Sequence, residues 1–199
     1  MVKLVNQTKF ALKIKEKKLP LFTARDARAL FGLSAGAASL LLHRYARQHF
    51  ITRLKRGLYA LADNQPPELF IANKLYEPSY ISREFALSYH RVIPETVYEI
   101  TSVTPKTTRR FEKLGKVFSY RKIKKVAFTG YEVAKQNNIS FRIADAEKAF
   151  VDANYYRLLD GLKPISRFDK EKINSAKALR YADLFGNEKL ISIIKTTLQ

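Results

Sequence analysis

The sequence predicts an α+β fold in two parts, and three observations lead there. The 199 residues are 46% hydrophobic and 12% aromatic, which is enough for packed cores and too much for a disordered basic chain. Segments with helical spacing of apolar residues alternate with short β-branched and aromatic runs. The formal net charge of +19 is also unevenly spread, changing sign at the polar segment Asp63-Asn64-Gln65-Pro66-Pro67, whose Pro pair disfavours a helix running through it. The expected division is therefore residues 1–62 and 66–199.

Lys and Arg outnumber Asp and Glu by 13 to 2 over residues 1–62, trail them 3 to 6 over 63–105, lead 9 to 1 over 106–125 and 12 to 9 over 126–199. Two separated basic blocks of this size point to a polyanionic partner. The absence of cysteine excludes disulfides, thiolate metal sites and a cysteine nucleophile. Residues 1–10 hold no apolar run of the signal-peptide kind, and no stretch approaches the roughly 20 apolar residues that span a bilayer. A cytoplasmic protein with no membrane partner is expected.

In the first part, residues 3–18 carry helical spacing with Leu4, Phe10, Ala11 and Ile14 among lysines, and Pro20 stops the run. Thr23 is an N-cap with Asp26 three residues on, as in a capping box, and Phe22 can staple onto Ala27. The helix so begun buries Ala27, Leu30 and Phe31 and ends at Gly32. Ser34 caps the next helix, which runs to about Gln48. Its wheel puts Ala38, Leu41, Leu42 and Tyr45 on one side and a stripe of Gly36, Ser39, His43 and Arg47 on the other. Two strand candidates, Phe50–Lys55 and Leu58–Leu61, flank Arg56-Gly57 as a two-residue hairpin.

Helix, helix, tight turn, helix and basic hairpin within about sixty residues have the order of a winged helix-turn-helix. In that arrangement the helix from Ser34 enters the major groove. Gly36 permits close approach, Ser39 and His43 meet base edges, and Arg47 or Arg44 meets a guanine or a phosphate, while the hairpin lies on phosphate or in the minor groove. The candidate DNA-binding residues are Arg25, Arg28, Ser34, Gly36, Ser39, His43, Arg44, Arg47, Arg53, Lys55 and Arg56.

The second part is expected to be a mixed α+β domain with a small antiparallel sheet and C-terminal helices. Residues 66–76 and 83–91 have helical spacing, with Leu69, Ile71, Ala72 and Leu75, then Phe85, Ala86, Leu87 and Tyr89. Tyr80-Ile81-Ser82 between them is extended, and Ser82 can cap the second helix. Strands are expected around Val97–Val103, Val117–Tyr120 and Val126–Phe128, with helices over 144–159, 169–183 and 187–198. The basic run falls on a predicted helix, Thr107–Leu114, and the strands after it. Arg109, Arg110 and Lys113 share one side of that helix, and Arg121, Lys122, Lys124 and Lys125 sit at a strand end or turn. These seven residues are a second phosphate-binding surface, a docking face for an acidic partner or for a partner's nucleic-acid substrate, or a plain solvated face.

No catalytic constellation is legible, and neither a metal nor a cofactor is expected. Asp145, Glu147, Lys148 and Asp152 are close in sequence, as in metal-dependent nucleases. Glu147, Lys148 and Asp152 instead read as an exposed helix surface with an i, i+4 pair between Lys148 and Asp152, and no second strand-borne carboxylate is evident. His43, His49 and His90 lack metal-ligand spacing, and no Gly-rich phosphate loop is present.

The stretches Arg56–Leu61, Pro78–Ser82 leading into Phe85–His90, and Ile143–Asp152 resemble, in order and spacing, the AbiEi antitoxin family over roughly residues 20–160. The resemblance implies an N-terminal winged helix that represses its own operon by binding inverted repeats in duplex promoter DNA. It also implies a C-terminal domain that opposes a co-encoded nucleotidyltransferase toxin in bacterial abortive infection, a phage defence. The expected function is that of a non-enzymatic antitoxin and repressor, monomeric in solution. The alternatives are a plain transcriptional regulator without antitoxin activity, or a metal-dependent nuclease targeted by a winged helix.

Overall fold

The computed structural model describes residues 5–199, and the chain forms two compact units, residues 1–67 and 68–199. In the first unit, α1 (Gln7–Glu16), α2 (Ala24–Phe31) and α3 (Ala35–Arg47) precede an antiparallel hairpin of β1 (Ile51–Lys55) and β2 (Leu58–Leu61). Leu4 lies outside the described residues. The helix ends follow from local chemistry. Asn6, Thr23 and Ser34 each accept an N-terminal amide bond, Thr23 and Asp26 form a reciprocal capping box, and Gly32 closes α2 in the left-handed region at φ 63°.

The core of this unit is built on Phe10, which is fully buried and touches the rings of Phe22, Phe31, Tyr45 and Phe50 at centroid distances of 5.2–6.2 Å. A buried ring of this size stabilises by about 2–3 kcal/mol from area alone. Ala38, Leu41, Leu42 and Tyr45 turn the inner side of α3 onto it. Phe22 adds a third edge to the hairpin by exchanging both backbone hydrogen bonds with Tyr59, each 2.9 Å. A bulge between Arg53 and Lys55 leaves Leu54 fully buried and the Arg56-Gly57 turn at the tip, with Gly57 at φ 79°.

The second unit runs α4 (Glu68–Leu75), β3 (Tyr80–Ile81), α5 (Arg83–Tyr89), β4 (Ile100–Thr104), β5 (Arg109–Lys113), β6 (Lys116–Lys122), β7 (Tyr131–Gln136), β8 (Ile139–Ala144), α6 (Ala146–Leu159), α7 (Ser175–Asp183) and α8 (Glu188–Leu198). Its sheet has six strands in the order β5-β6-β4-β3-β8-β7. The α+β class stands, but the small antiparallel sheet expected here is corrected. β4 pairs β6 in parallel and β3 pairs β8 in parallel, while the outer pairs and β3–β4 are antiparallel. The parallel pairs arise because β6 inserts between β4 and β5, and because the chain returns to β3 only after the β7–β8 hairpin.

Four local expectations also change. In place of the expected helix over Thr107–Leu114, Arg109–Lys113 is strand β5, because Leu114 and Gly115 at φ 56° and 68° form a two-residue turn that folds it onto β6. Val126 and Ala127 lie in a 3-10 turn, Lys125–Ala127, instead of a strand. The expected strand from Val97 begins only at Ile100. Tyr89, expected to pack inward, is 45% exposed.

Candidate nucleic-acid interface

The wheel of α3 places its two faces as the sequence requires. Its inner side is in the core, and Gly36, Ser39, His43, Arg44 and Arg47 are exposed. Ser34 is exposed too, and its hydroxyl accepts from the Ala37 amide at 3.2 Å, so it serves as a cap. A Cβ placed on Gly36 would meet nothing within 4 Å, so the helix surface there is open. Arg25 and Arg28 are exposed on α2, and Arg53 and Arg56 on the hairpin, where Lys55 is half-buried. The structure thus brings the eleven sequence candidates onto one unit, on α2, α3 and the hairpin.

The arginines among them are not neutralised by their own unit. Its ion pair among the described residues is Lys15 with Asp63 at 3.1 Å, and it involves none of Arg25, Arg28, Arg44, Arg47, Arg53 and Arg56. Asp26 is engaged in capping, its Oδ2 accepting from the Thr23 amide at 2.7 Å. Arg44 lies 5.6 Å from the Tyr45 ring centroid. Burial pushes the Tyr45 hydroxyl up, against the opposing Arg44 charge, and that hydroxyl donates to the Val5 carbonyl.

One exposed residue of α3 escapes the sequence pattern. Leu40, beside the core residues Leu41 and Leu42 and assigned to neither side by the sequence reading, is 72% exposed. Its helical angle is the one signal that places it on the polar stripe.

The second basic run is arranged differently. On β5, Arg109 and Lys113 share a face with Phe111, while Arg110 points to the opposite face and pairs with Glu112. The expected shared side for Arg109, Arg110 and Lys113 is therefore corrected, since a strand alternates where a helix would gather them. Arg121 makes two bonds to Asp160, 3.0 and 2.9 Å, and sits 4.8 Å from the Tyr156 ring centroid. The Arg121 guanidinium holds the Asp160 carboxyl below the usual carboxylate range. Lys124 donates to the Phe185 carbonyl, Lys116 pairs with Glu68 at 2.9 Å, and Lys106 donates to the Glu77 carbonyl. Lys122 and Lys125 are exposed.

The expected exposed surface of Glu147, Lys148 and Asp152 is overturned. Lys148 and Asp152 are fully buried and Glu147 is 9% exposed, because nine of the fourteen residues of α6 are buried. Lys148 pairs with Asp152, whose other oxygen accepts from Ser82 at 2.7 Å and Tyr80 at 3.2 Å. Ser82 therefore bonds Asp152 and makes no side-chain cap on α5, contrary to expectation. Burial pushes the Asp152 carboxyl up and the Lys148 ammonium down, and their mutual attraction opposes both. Asp145 caps α6 through the Lys148 amide at 2.8 Å and accepts from Tyr181 at 2.7 Å. Burial pushes Glu147 up, but the Lys177 ammonium at 2.9 Å and the Asn174 amide outweigh it and hold the carboxyl low. Each acid of this cluster thus ties α6 to a neighbouring element.

Three helices, a hairpin bridged to the chain before α2, and an outward basic stripe on α3 define a winged helix-turn-helix protein. Residues 10–62 match the model of the family described as transcriptional regulator, AbiEi antitoxin, and the resemblance to AbiEi antitoxins holds over that span. A comparison with curated proteins finds no match.

Proposed function

We propose that the protein is an antitoxin that represses its own operon. α3 enters the major groove of duplex promoter DNA, and Arg53, Lys55 and Arg56 of the hairpin grip the flanking backbone. One observation carries the reading: the α3 stripe and the arginines beside it are exposed and, among the described residues, have no carboxylate partner in their own unit. Uncompensated cations next to a helix surface that carries small residues suit a polyanion whose base edges must come close. The second unit counters a nucleotidyltransferase toxin in this reading, and the chain acts as a monomer on each half of an inverted repeat. The structural ties of Asp145, Glu147 and Asp152 favour a non-enzymatic role over a nuclease.

The test is a footprint of the full chain on DNA upstream of its own gene, with affinities measured across salt. Protection of an inverted repeat, with log affinity falling linearly against log salt, is the expected result. Affinity that is flat with salt would remove the electrostatic basis of the proposal. A nucleotidyltransferase-like gene in the same operon, whose toxicity the chain suppresses when co-expressed, tests the antitoxin half. Cleavage of nucleic acid in divalent metal that is lost in Asp145→Asn would favour the nuclease instead.

A further inference from the structure

Leu40 is the apolar member of the outward stripe. Leu41 and Leu42 beside it are 7% and 0% exposed, so the core takes two leucines of the run and leaves one in water at 72%. At about 100° per residue, with Gly36 at zero, Arg47 falls at about 20°, Leu40 at about 40°, His43 at about 340° and Ser39 at about 300°. Leu40 therefore lies beside the arc that the polar residues define, with Gly36 one turn before it and His43 and Arg44 one turn after. Gly36, which carries no side chain and has open space around it, adjoins it on the helix surface. A large apolar group exposed among base-reading residues loses water only when a ligand covers it, and its worth is then the apolar area removed.

We infer that Leu40 reads sequence, packing its isobutyl group on the C5-methyl of a thymine in the major groove while Gly36 admits the base edge. Thymine alone among the four bases presents a methyl group there. The inference rests on the proposed DNA-binding reading and deepens it by naming a base. The contact is apolar, so it sets sequence preference without adding to the salt dependence that the arginines produce.

The experiment uses the full-length chain and a fluorescein-labelled duplex carrying the footprinted site, or one selected by the chain from a random pool. Each thymine is replaced in turn by deoxyuridine, which removes only the methyl group, and affinity is read by anisotropy at fixed salt. The wild type is expected to weaken about fourfold at one position per half-site, the equivalent of about 0.8 kcal/mol per buried methyl at 1.4 kcal/mol per tenfold. Leu40→Ala should weaken binding to the thymine duplex by at least that factor, lose sensitivity to uracil at that position alone, and keep the wild-type salt slope. The inference is overturned if L40A discriminates thymine from uracil as the wild type does, or if the wild type is indifferent at every position. Failure of the full chain to bind any duplex would take down the DNA-binding reading as well, whereas binding without methyl discrimination removes only the role of Leu40.

Discussion

Over residues 1–62, two carboxylates face thirteen Lys and Arg, and among the described residues the arginines of α2, α3 and the hairpin stand in solvent without an acidic partner. Over residues 106–125 one carboxylate faces nine cations, yet Arg110, Arg121, Lys116, Lys124 and Lys106 all bond acids or carbonyls of their own unit. A similar excess of charge thus has two different destinations. In the second run Glu112 is the one local carboxylate, and the other neutralising acids come from elsewhere in the chain, Glu68 from α4 and Asp160 from the end of α6. Net charge along a sequence therefore measures supply, and only the three-dimensional pairing shows how much is left for a ligand.

The comparison is sharpest at the charge withdrawn furthest from any ligand, Lys148. Replacing its partner, Asp152→Ala, leaves a buried ammonium unpaired and should cost about 3–5 kcal/mol of unfolding free energy, measured by circular dichroism in a urea titration. The double variant K148M/D152L should recover part of that loss, because it removes both buried charges but leaves the Ser82 and Tyr80 hydroxyls without their acceptor. An undiminished midpoint in Asp152→Ala would mean that the pair is not buried in solution.

Next in size is the contrast between the blocks themselves. Replacing Arg28, Arg47, Arg53 and Arg56 together by Gln should weaken operator binding on the order of a hundredfold near 0.1 M salt. It should also flatten the log–log salt slope by about 0.9 for each phosphate that is no longer neutralised. The matching set in the second run, Lys106, Lys116, Arg121 and Lys124, whose charges are already engaged within their own unit, should change affinity by less than about threefold. Equal weakening from the two sets would break the distinction between the blocks.

A smaller effect is expected at Gly130, which lies at φ 74° where a Cβ would come 2.8 Å from the Tyr181 ring and 2.9 Å from the Lys148 side chain. Gly130→Ala should cost about 2 kcal/mol in the same titration, from left-handed backbone strain and overpacking combined. DNA affinity should be unchanged.

The first unit is legible in the sequence because its signals are local. A capping box at Thr23 and Asp26, a left-handed Gly32 and a two-residue Arg56-Gly57 turn each act within four residues. The second unit withholds more. β7 is exposed along most of its length, so it shows no alternation, and only Asn137-Asn138, both at positive φ, marks its hairpin with β8. The Arg109, Arg110 and Lys113 spacing fits a helix as well as a strand until the Leu114-Gly115 turn decides it. Lys148 and Asp152 read as solvent-facing because the groups that allow their burial, Tyr80 and Ser82, lie about seventy residues away. Of the candidate interface, the polar stripe is visible from periodicity, whereas Leu40 is hidden by two buried leucines beside it.

The smallest expected effect concerns Arg121, whose bidentate bond to Asp160 is partly exposed, at 30% and 39% of the two side chains. Solvent screening limits its worth, so Arg121→Ala should cost only about 0.5–1 kcal/mol near neutral pH. The pH dependence identifies the cause. Because Arg121 depresses the folded-state pKa of Asp160, the stabilisation is fully present above the unfolded aspartate value of about 3.9 and is lost as pH falls through the lower folded value. The stability gap between wild type and Arg121→Ala should hold from neutral pH down to about pH 5 and shrink progressively as pH falls below the unfolded aspartate value and through the lower folded one. A gap that persists in acid would instead assign the cost to the packing of the guanidinium on Tyr156. This cation would then belong to the core rather than to an ion pair, and the second run would hold still less charge for a ligand.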